Sequence, residues 1–228
     1  KSAAEAGAVA SELADAEIPT VWGDDAILAT MSGCTVMVKS PGIPQDNFIV
    51  KAARDSGLRV ISEIELASAF VPEGARTIAI TGTNGKTTVT AWLAHTLNRC
   101  GFNAITAGNI GDAWCSRLLK PSEDPSKTIY VVEVSSFQLE DIEDFHPNVA
   151  LLTNISPDHM DRYNDQMELY IAAKANILRN MTSSDVFIWN AGDESSEPIL
   201  ELSRARNLGF KASEVYPSAS HGVYAGIR

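Results

Sequence analysis

The sequence predicts an α/β fold built on a parallel sheet, and three observations carry that expectation. Runs rich in β-branched residues alternate with helical patterns along the whole 228-residue chain. The strand candidates beyond residue 76 are almost continuously apolar, as strands covered on both faces must be. One of them runs directly into a glycine-containing turn followed by a helix.

In chain order, the alanine-rich opening predicts a surface helix over about residues 3–16, broken as an apolar run by Glu5, Glu12 and Asp15. Strands are predicted over 19–22 (PTVW), 34–39 (CTVMVK) and 58–62 (LRVIS), with helices around 47–56 and 63–70. Pro72 and Gly74 then interrupt the pattern, which sets a domain boundary near residue 73. Beyond it come strands over 77–81, 103–106, 128–134, 149–154 and 185–190. The helix after the first of these presents Val89, Trp92, Leu93, Leu97 and Cys100 on one face and stops at Gly101. Asp165, with Glu168 three residues on, is placed to cap a further helix over 167–181. The tail over 213–228 reads as strands or loops.

Composition narrows the partners. The chain is 45% hydrophobic and 21% charged, and 18 basic against 29 acidic residues give a net charge of −11. That sum disfavours a nucleic-acid or anionic-membrane surface but leaves room for a local phosphate pocket. No run of about 18 apolar residues could span a bilayer. Cys34, Cys100 and Cys115 form no CxxC pair, so reduced thiols in a cytosolic compartment are the simplest expectation. Residue 1 is a lysine, so the native start is expected to lie upstream.

The strongest chemical signal is Gly82-Thr83-Asn84-Gly85-Lys86-Thr87-Thr88, set between strand and helix. Such a loop lets backbone N–H groups close around a phosphate at the positive helix end, with Lys86 reaching the terminal phosphates and Thr87 offering a hydroxyl to Mg²⁺. The full phosphate-loop pattern has another glycine at position 80, where this chain has Ile80, so this is a shortened variant. Glu133 ends an apolar strand, and ligands gather at the carboxyl ends of parallel strands, so it could hold Mg²⁺; the competing reading is a solvated strand-end carboxylate. Asp158, His159, Asp161 and Arg162 follow another strand end, where His159 reads equally as a metal or substrate contact or as an ordinary loop residue. Lys174 lies in the middle of an apolar helical stripe with Met167, Tyr170, Ile171, Ile177, Leu178 and Met181. Either its stem packs there while the ammonium snorkels to water, or the amine is buried for a purpose.

Six segments together resemble the Mur ligase family, the ATP-dependent amide ligases of peptidoglycan precursor synthesis: SPGIP (40–44), TGTNGKTT (81–88), AGNIG (107–111), VEVSSFQLE (132–140), DHMDRY (158–163) and YIAAKANI (170–177). The likeness covers nearly the whole chain, and SSFQLE, DHMDRY and SPGIP narrow it to the D-glutamate-adding branch. The resemblance implies a partial Rossmann-like N-terminal domain for a uridine-diphosphate substrate over 1–72, followed by a P-loop ATPase-type central domain over 73–228. The chain would be roughly half of such a ligase, with the C-terminal domain beyond it. The implied reaction phosphorylates the terminal carboxylate of UDP-N-acetylmuramoyl-L-alanine with ATP, and D-glutamate then attacks the acyl phosphate to form an amide.

Carried over residue by residue, the resemblance assigns Gly82 through Thr88 to ATP. Lys86, His159 and Lys174 become catalytic, and Asn109, Ser135 and His159 contact substrate. Two Mg²⁺ ions are implied: Thr87 and Glu133 serve the first, and Glu133, His159 and a carbamylated Lys174 the second. Burial of Lys174 among apolar side chains would favour the neutral amine, which can add CO₂ and become an oxygen ligand. A cytoplasmic monomer is implied, with no nucleic acid and no membrane insertion. A folylpolyglutamate-type ligase shares the loop and the carbamylated lysine but should differ at SSFQLE. A non-catalytic nucleotide-binding remnant is the alternative from another class.

Overall fold

The computed structural model describes residues 7–120, 122–211 and 224–227. The chain divides into two compact units, residues 1–61 and 62–228. The division falls before helix 63–68, eleven residues earlier than Pro72 and Gly74 suggest. That short helix sends Ile64 and Ala67 into the core of the larger unit. Its Glu65, 5% exposed, accepts the backbone N–H groups of Glu143, Asp144 and Phe145 at 2.8–3.0 Å.

In the smaller unit, α1 (Ala8–Asp15) and α2 (Asp24–Thr30) precede β1 (Val36–Lys39), α3 (Phe48–Asp55) and β2 (Arg59–Ser62). β1 and β2 form a two-stranded sheet, and Val50, Ala53 and Val60 make a small core with Met31, Met37, Ile43 and Leu58. Asn47 caps α3, its side chain accepting from the Ile49 N–H at 2.9 Å. The segment 19–22 is not a strand; a helix begins just after it at Asp24, where Asp24 and Asp25 suit the positive end of the helix dipole.

The larger unit opens with α4 (Glu63–Ser68), then β3 (Arg76–Thr81), α5 (Lys86–Arg99), β4 (Asn103–Gly108), α6 (Trp114–Leu118) and β5 (Thr128–Glu133). It continues with α7 (Ser136–Leu139), β6 (Val149–Leu152), α8 (Met167–Ala175), β7 (Val186–Asn190), α9 (Glu197–Glu201), β8 (Arg206–Lys211) and β9 (Tyr224–Ile227). The seven strands are ordered β4-β5-β3-β6-β7-β8-β9. All pairings are parallel except β8 with β9, which closes the edge antiparallel. The prediction for the tail is resolved only in β9; residues 212–223 and 228 lie outside the described residues.

Chain direction across the sheet reverses at β3. The connection out of β3 runs to β4 at one edge and β5 returns between them, while β6 pairs on the other flank of β3. The carboxyl end of β3 is therefore a topological switch point, where open α/β sheets place ligands. α5 covers one face of β3, β4 and β5, its Ala94 buried against Ile80, Ile129 and Val131. The opposite face carries the main core, including Ala79, Val132, Leu152, Phe187, Tyr170 and Leu178.

Three local expectations need correction. Trp92 is 71% exposed, because the buried face of α5 centres on the small residues Thr90 and Ala94, which let the helix approach the sheet, with Val89, Leu93 and Leu97 beside them. Cys100 is exposed too. Asp165 does not cap α8: it sits at φ 55°, Gln166 occupies the cap position, and no side chain caps the helix. Among the described residues no helix is long and apolar enough to cross a membrane.

Candidate active site

The site begins with the backbone of one glycine. Gly82 has φ 143°, and a Cβ there would lie 1.9 Å from Thr153 Oγ1, so no larger residue fits against the segment that leaves β6. Gly85 follows in the left-handed region at φ 82° and forms the N-cap of α5. No side chain caps this 14-residue helix and no acid lies in its first turn. Its free N–H groups and the positive end of its dipole are left for an anion. Thr87 and Thr88 are exposed in that first turn.

The loop is strapped to the segment after β6. The Thr83 N–H donates to Asn154 O at 2.9 Å, and the Asn84 N–H to Asn154 Oδ1 at 3.0 Å. Asn84 O in return accepts from Thr153 Oγ1 at 2.7 Å and Asn154 Nδ2 at 2.9 Å. Thr83 Oγ1 donates to Ser156 O at 3.1 Å and accepts the Ser156 N–H at 3.0 Å. Such bracing holds the loop in one shape before any ligand arrives, which lowers the entropy lost on binding.

Two lysines converge on this loop. Lys86 Nζ donates to Gly82 O at 2.9 Å and Thr83 O at 2.8 Å, and Lys174 Nζ donates to the same Gly82 oxygen at 2.8 Å. Lys174 is 1% exposed, so its ammonium does not snorkel to water. It lies 4.4 Å over the Tyr170 ring, whose hydroxyl is 3.0 Å from Thr83 Oγ1. Burial, then the charge of Lys86, drag the Lys174 pKa down to about 7, with Asp158 opposing. A large share of the amine is therefore neutral at physiological pH.

Glu133, 2% exposed, ends β5 and faces Ile80 in register beside β3. Its Oε1 accepts from Asn109 Nδ2 at 3.1 Å, while Oε2 is buried without a hydrogen-bond partner. The Asn109 N–H donates to Glu133 O at 2.9 Å, and a Cβ on neighbouring Gly108 would lie 2.3 Å from that carbonyl, which explains the glycine at the end of β4. A bare buried carboxylate oxygen is costly unless something satisfies it, so Glu133 suits a cation. No cluster of three or more histidine, cysteine or acidic side chains is placed to hold a metal by itself among the described residues. Mg²⁺ is commonly held by one or two carboxylates plus phosphate oxygens and water, so this sparse donor set fits it.

The remaining predicted positions each have partners of their own. Ser135 caps α7 in a reciprocal capping box with Gln138, its N–H donating to Gln138 Oε1 at 2.9 Å. His159 has φ 51°, with Nε2 3.6 Å from Asp158 Oδ2 and its ring 5.0 Å from that of Phe137. Asn109, expected against substrate, is found holding Glu133. Sequence reasoning missed Thr153, Asn154, Ser156 and Tyr170 as parts of the loop's support. The Thr-Asn pair directly after the β6 run was the available signal.

The profile of a family described as the Mur ligase middle domain matches residues 80–216. The UDP-N-acetylmuramoylalanine–D-glutamate ligase of Desulfatibacillum aliphaticivorans is 42% identical over 200 residues, covering 88% of this chain and 42% of that protein. The ligase of the same name from Streptococcus uberis is 40% identical over 210 residues, 92% of this chain and 45% of its own. The chain thus spans less than half the length of these curated relatives. Among solved structures, the UDP-N-acetylmuramate:L-alanyl-γ-D-glutamyl-meso-diaminopimelate ligase of Neisseria meningitides superposes with a TM-score of 0.58 at 20% identity, over 96% of this chain and 73% of that one. With the family profile matching more than half of its residues, the chain belongs to the Mur ligase family.

Proposed function

We propose that the protein carrying this chain is an ATP-dependent ligase that joins D-glutamate to UDP-N-acetylmuramoyl-L-alanine through an acyl phosphate. One observation carries the reading: an uncapped helix start and two converging lysines lie at the switch point, beside a buried carboxylate oxygen with no partner. The names of the curated relatives supply the substrates and favour this reading over a folylpolyglutamate-type ligase.

On this reading, the N–H groups of residues 82–88 and Lys86 bind the nucleotide phosphates, and Lys86 exchanges the Gly82 and Thr83 carbonyls for phosphate oxygens. Cationic groups are needed because an acyl phosphate forms between two anions. Thr87 and Glu133 would hold one Mg²⁺; Glu133, His159 and a carbamylated Lys174 would hold the second. The metal supplies neutralisation of the developing charge. Asn109 orients Glu133 by holding Oε1, so that Oε2 would be free to meet a cation. The depressed pKa of Lys174 supplies the neutral amine that carbamylation needs. Ser135 contacts the UDP-N-acetylmuramoyl-L-alanine substrate.

The test is phosphate release by the full-length protein with ATP, UDP-N-acetylmuramoyl-L-alanine and D-glutamate, omitting each in turn. Release should require all three, and Glu133→Gln should lower it by at least about 10²-fold, as expected for loss of a preorganised charge contact. Equal release with either acceptor missing overturns the reading.

A further inference from the structure

Glu140 immediately follows α7, and its two carboxylate oxygens go to different neighbours. Oε2 accepts from Arg162 Nη2 at 3.1 Å and Oε1 from the Tyr163 hydroxyl at 2.8 Å. The Glu140 and Arg162 side chains are each 14% exposed, so their attraction is screened less than that of a surface ion pair. Burial pushes the Tyr163 hydroxyl pKa up, so it remains a donor to this carboxylate.

Each neighbour leads to a different group of the site, and the two routes touch where the Phe137 and Tyr163 rings stack 6.0 Å apart. The Arg162 guanidinium lies 4.0 Å over the Phe137 ring, and that ring lies 5.0 Å from the imidazole of His159. The Tyr163 ring lies 5.3 Å from Tyr170, which touches Thr83 with its hydroxyl and carries Lys174 over its face. The segment held between these contacts is unfavourable by itself. His159, Asn164 and Asp165 have φ values of 51°, 52° and 55°, a region that non-glycine residues occupy at a cost. A segment of this kind keeps its shape only when tertiary contacts impose it.

We propose that Glu140 is a positioning residue whose one carboxylate sets two arms of the site: His159 through Arg162 and Phe137, and the Lys174–Thr83 side through Tyr163 and Tyr170. The inference rests on His159 and Lys174 being working groups of the proposed ligase. Arg162 is specific to its arm, because a planar guanidinium can stack on Phe137 while bonding the carboxylate, and a lysine ammonium cannot.

The experiment uses the full-length protein with ¹³C-labelled histidine and tyrosine rings, read by NMR beside a thermal melt. His159, assigned with His159→Gln, should show ring-proton shifts displaced by Phe137. Glu140→Ala should return those shifts towards solvent values and also move the Tyr170 signals. Arg162→Lys should move the His159 signals several times further than those of Tyr170, which it reaches only through the Phe137–Tyr163 stack. In the active enzyme, Glu140→Ala should raise the Mg²⁺ concentration for half-maximal rate about tenfold, with the ATP requirement within about threefold of wild type. Unchanged His159 signals in a folded Glu140→Ala protein, or equal movement of both arms in Arg162→Lys, overturn the proposal. If Glu140→Ala does not fold, Arg162→Lys alone decides. The ring shifts are read without turnover, so a wild-type protein that forms no amide removes the functional reading and leaves the brace tested.

Discussion

Two buried glutamates of the larger unit, Glu65 and Glu133, live under opposite conditions at opposite ends of the sheet. Near the amino end of β6, Glu65 receives three successive backbone N–H groups, and its charge is fully used. At the carboxyl end of β5, Glu133 has one side-chain partner and a bare oxygen. The contrast extends to their surroundings. At the amino ends, Asn180 Nδ2 donates to Glu143 O and Phe145 O, and Asp185 Oδ2 accepts from His146 Nε2, the Thr182 N–H and Thr182 Oγ1. At the carboxyl ends, Thr81 Oγ1 is also buried without a partner, and Lys174 is held with its pKa far below that of a free lysine. Polar groups that are satisfied internally stabilise the fold. Groups left short of partners are available to a ligand, and stability is lower for it.

The contrast can be sharpened by removing one group at a time, and the largest effect on stability should come from Lys174. Its folded pKa, about 7, lies below the 10.5 of the free amine, so folding disfavours the protonated form. The penalty is complete below pH 7 and fades as pH rises towards 10.5, so wild-type stability should climb over that window by up to roughly 1.4 kcal/mol per pH unit. Lys174→Met should therefore be more stable than wild type at pH 7, by roughly 3–5 kcal/mol on the same arithmetic, and should lose this pH dependence. Gly82 O would keep Lys86 as a donor. Urea unfolding of both proteins at pH 6.5, 8 and 9.5 measures this; identical pH slopes would show that Lys174 is not strained.

Next in size is Glu65→Gln, which replaces a carboxylate serving three N–H groups with a neutral amide whose –NH₂ faces donors. It should destabilise by about 2–3 kcal/mol, and the loss should appear as a lower urea midpoint at constant slope. Glu133→Gln should cost no stability, so the two substitutions, chemically identical, should separate the two ends of the sheet.

A smaller loss than that of Glu65→Gln is expected at Asp185. Burial alone would raise its pKa, but the hydrogen bonds from His146 and Thr182 outweigh it and hold the carboxyl below its ordinary value. Its stabilisation is present above the unfolded carboxylate value of about 3.9 and is lost as pH falls through the lower folded value. Asp185→Asn should cost about 1–2 kcal/mol at pH 7 and flatten the acid limb of the stability profile below pH 4. Thermal melts between pH 2.5 and 7 measure it.

Much of this was legible in the order of residues because it depends on near neighbours. Most strand and helix periods, the glycines at 82 and 85 and the lysine inside an apolar helical face are local patterns realised where the sequence puts them, although 19–22 forms no strand and the helix expected over 167–181 is α-helical only over Met167–Ala175. Three features were decided by packing and could not be read locally. The face of α5 turns towards Thr90 and Ala94, leaving Trp92 in solvent, because closeness to the sheet outweighed side-chain size. Helix 63–68 joins the larger unit because Glu65 finds its N–H groups about eighty residues further along the chain. Lys174 meets Gly82 across 92 positions of sequence, and Asn109 meets Glu133 across 24. Those meetings follow from strand order and register, β4 beside β5 and β5 beside β3, which arise when the chain buries its apolar runs together. The residue types of the site are thus a property of the sequence, while their partners, charge states and unmet bonds belong to the folded sheet.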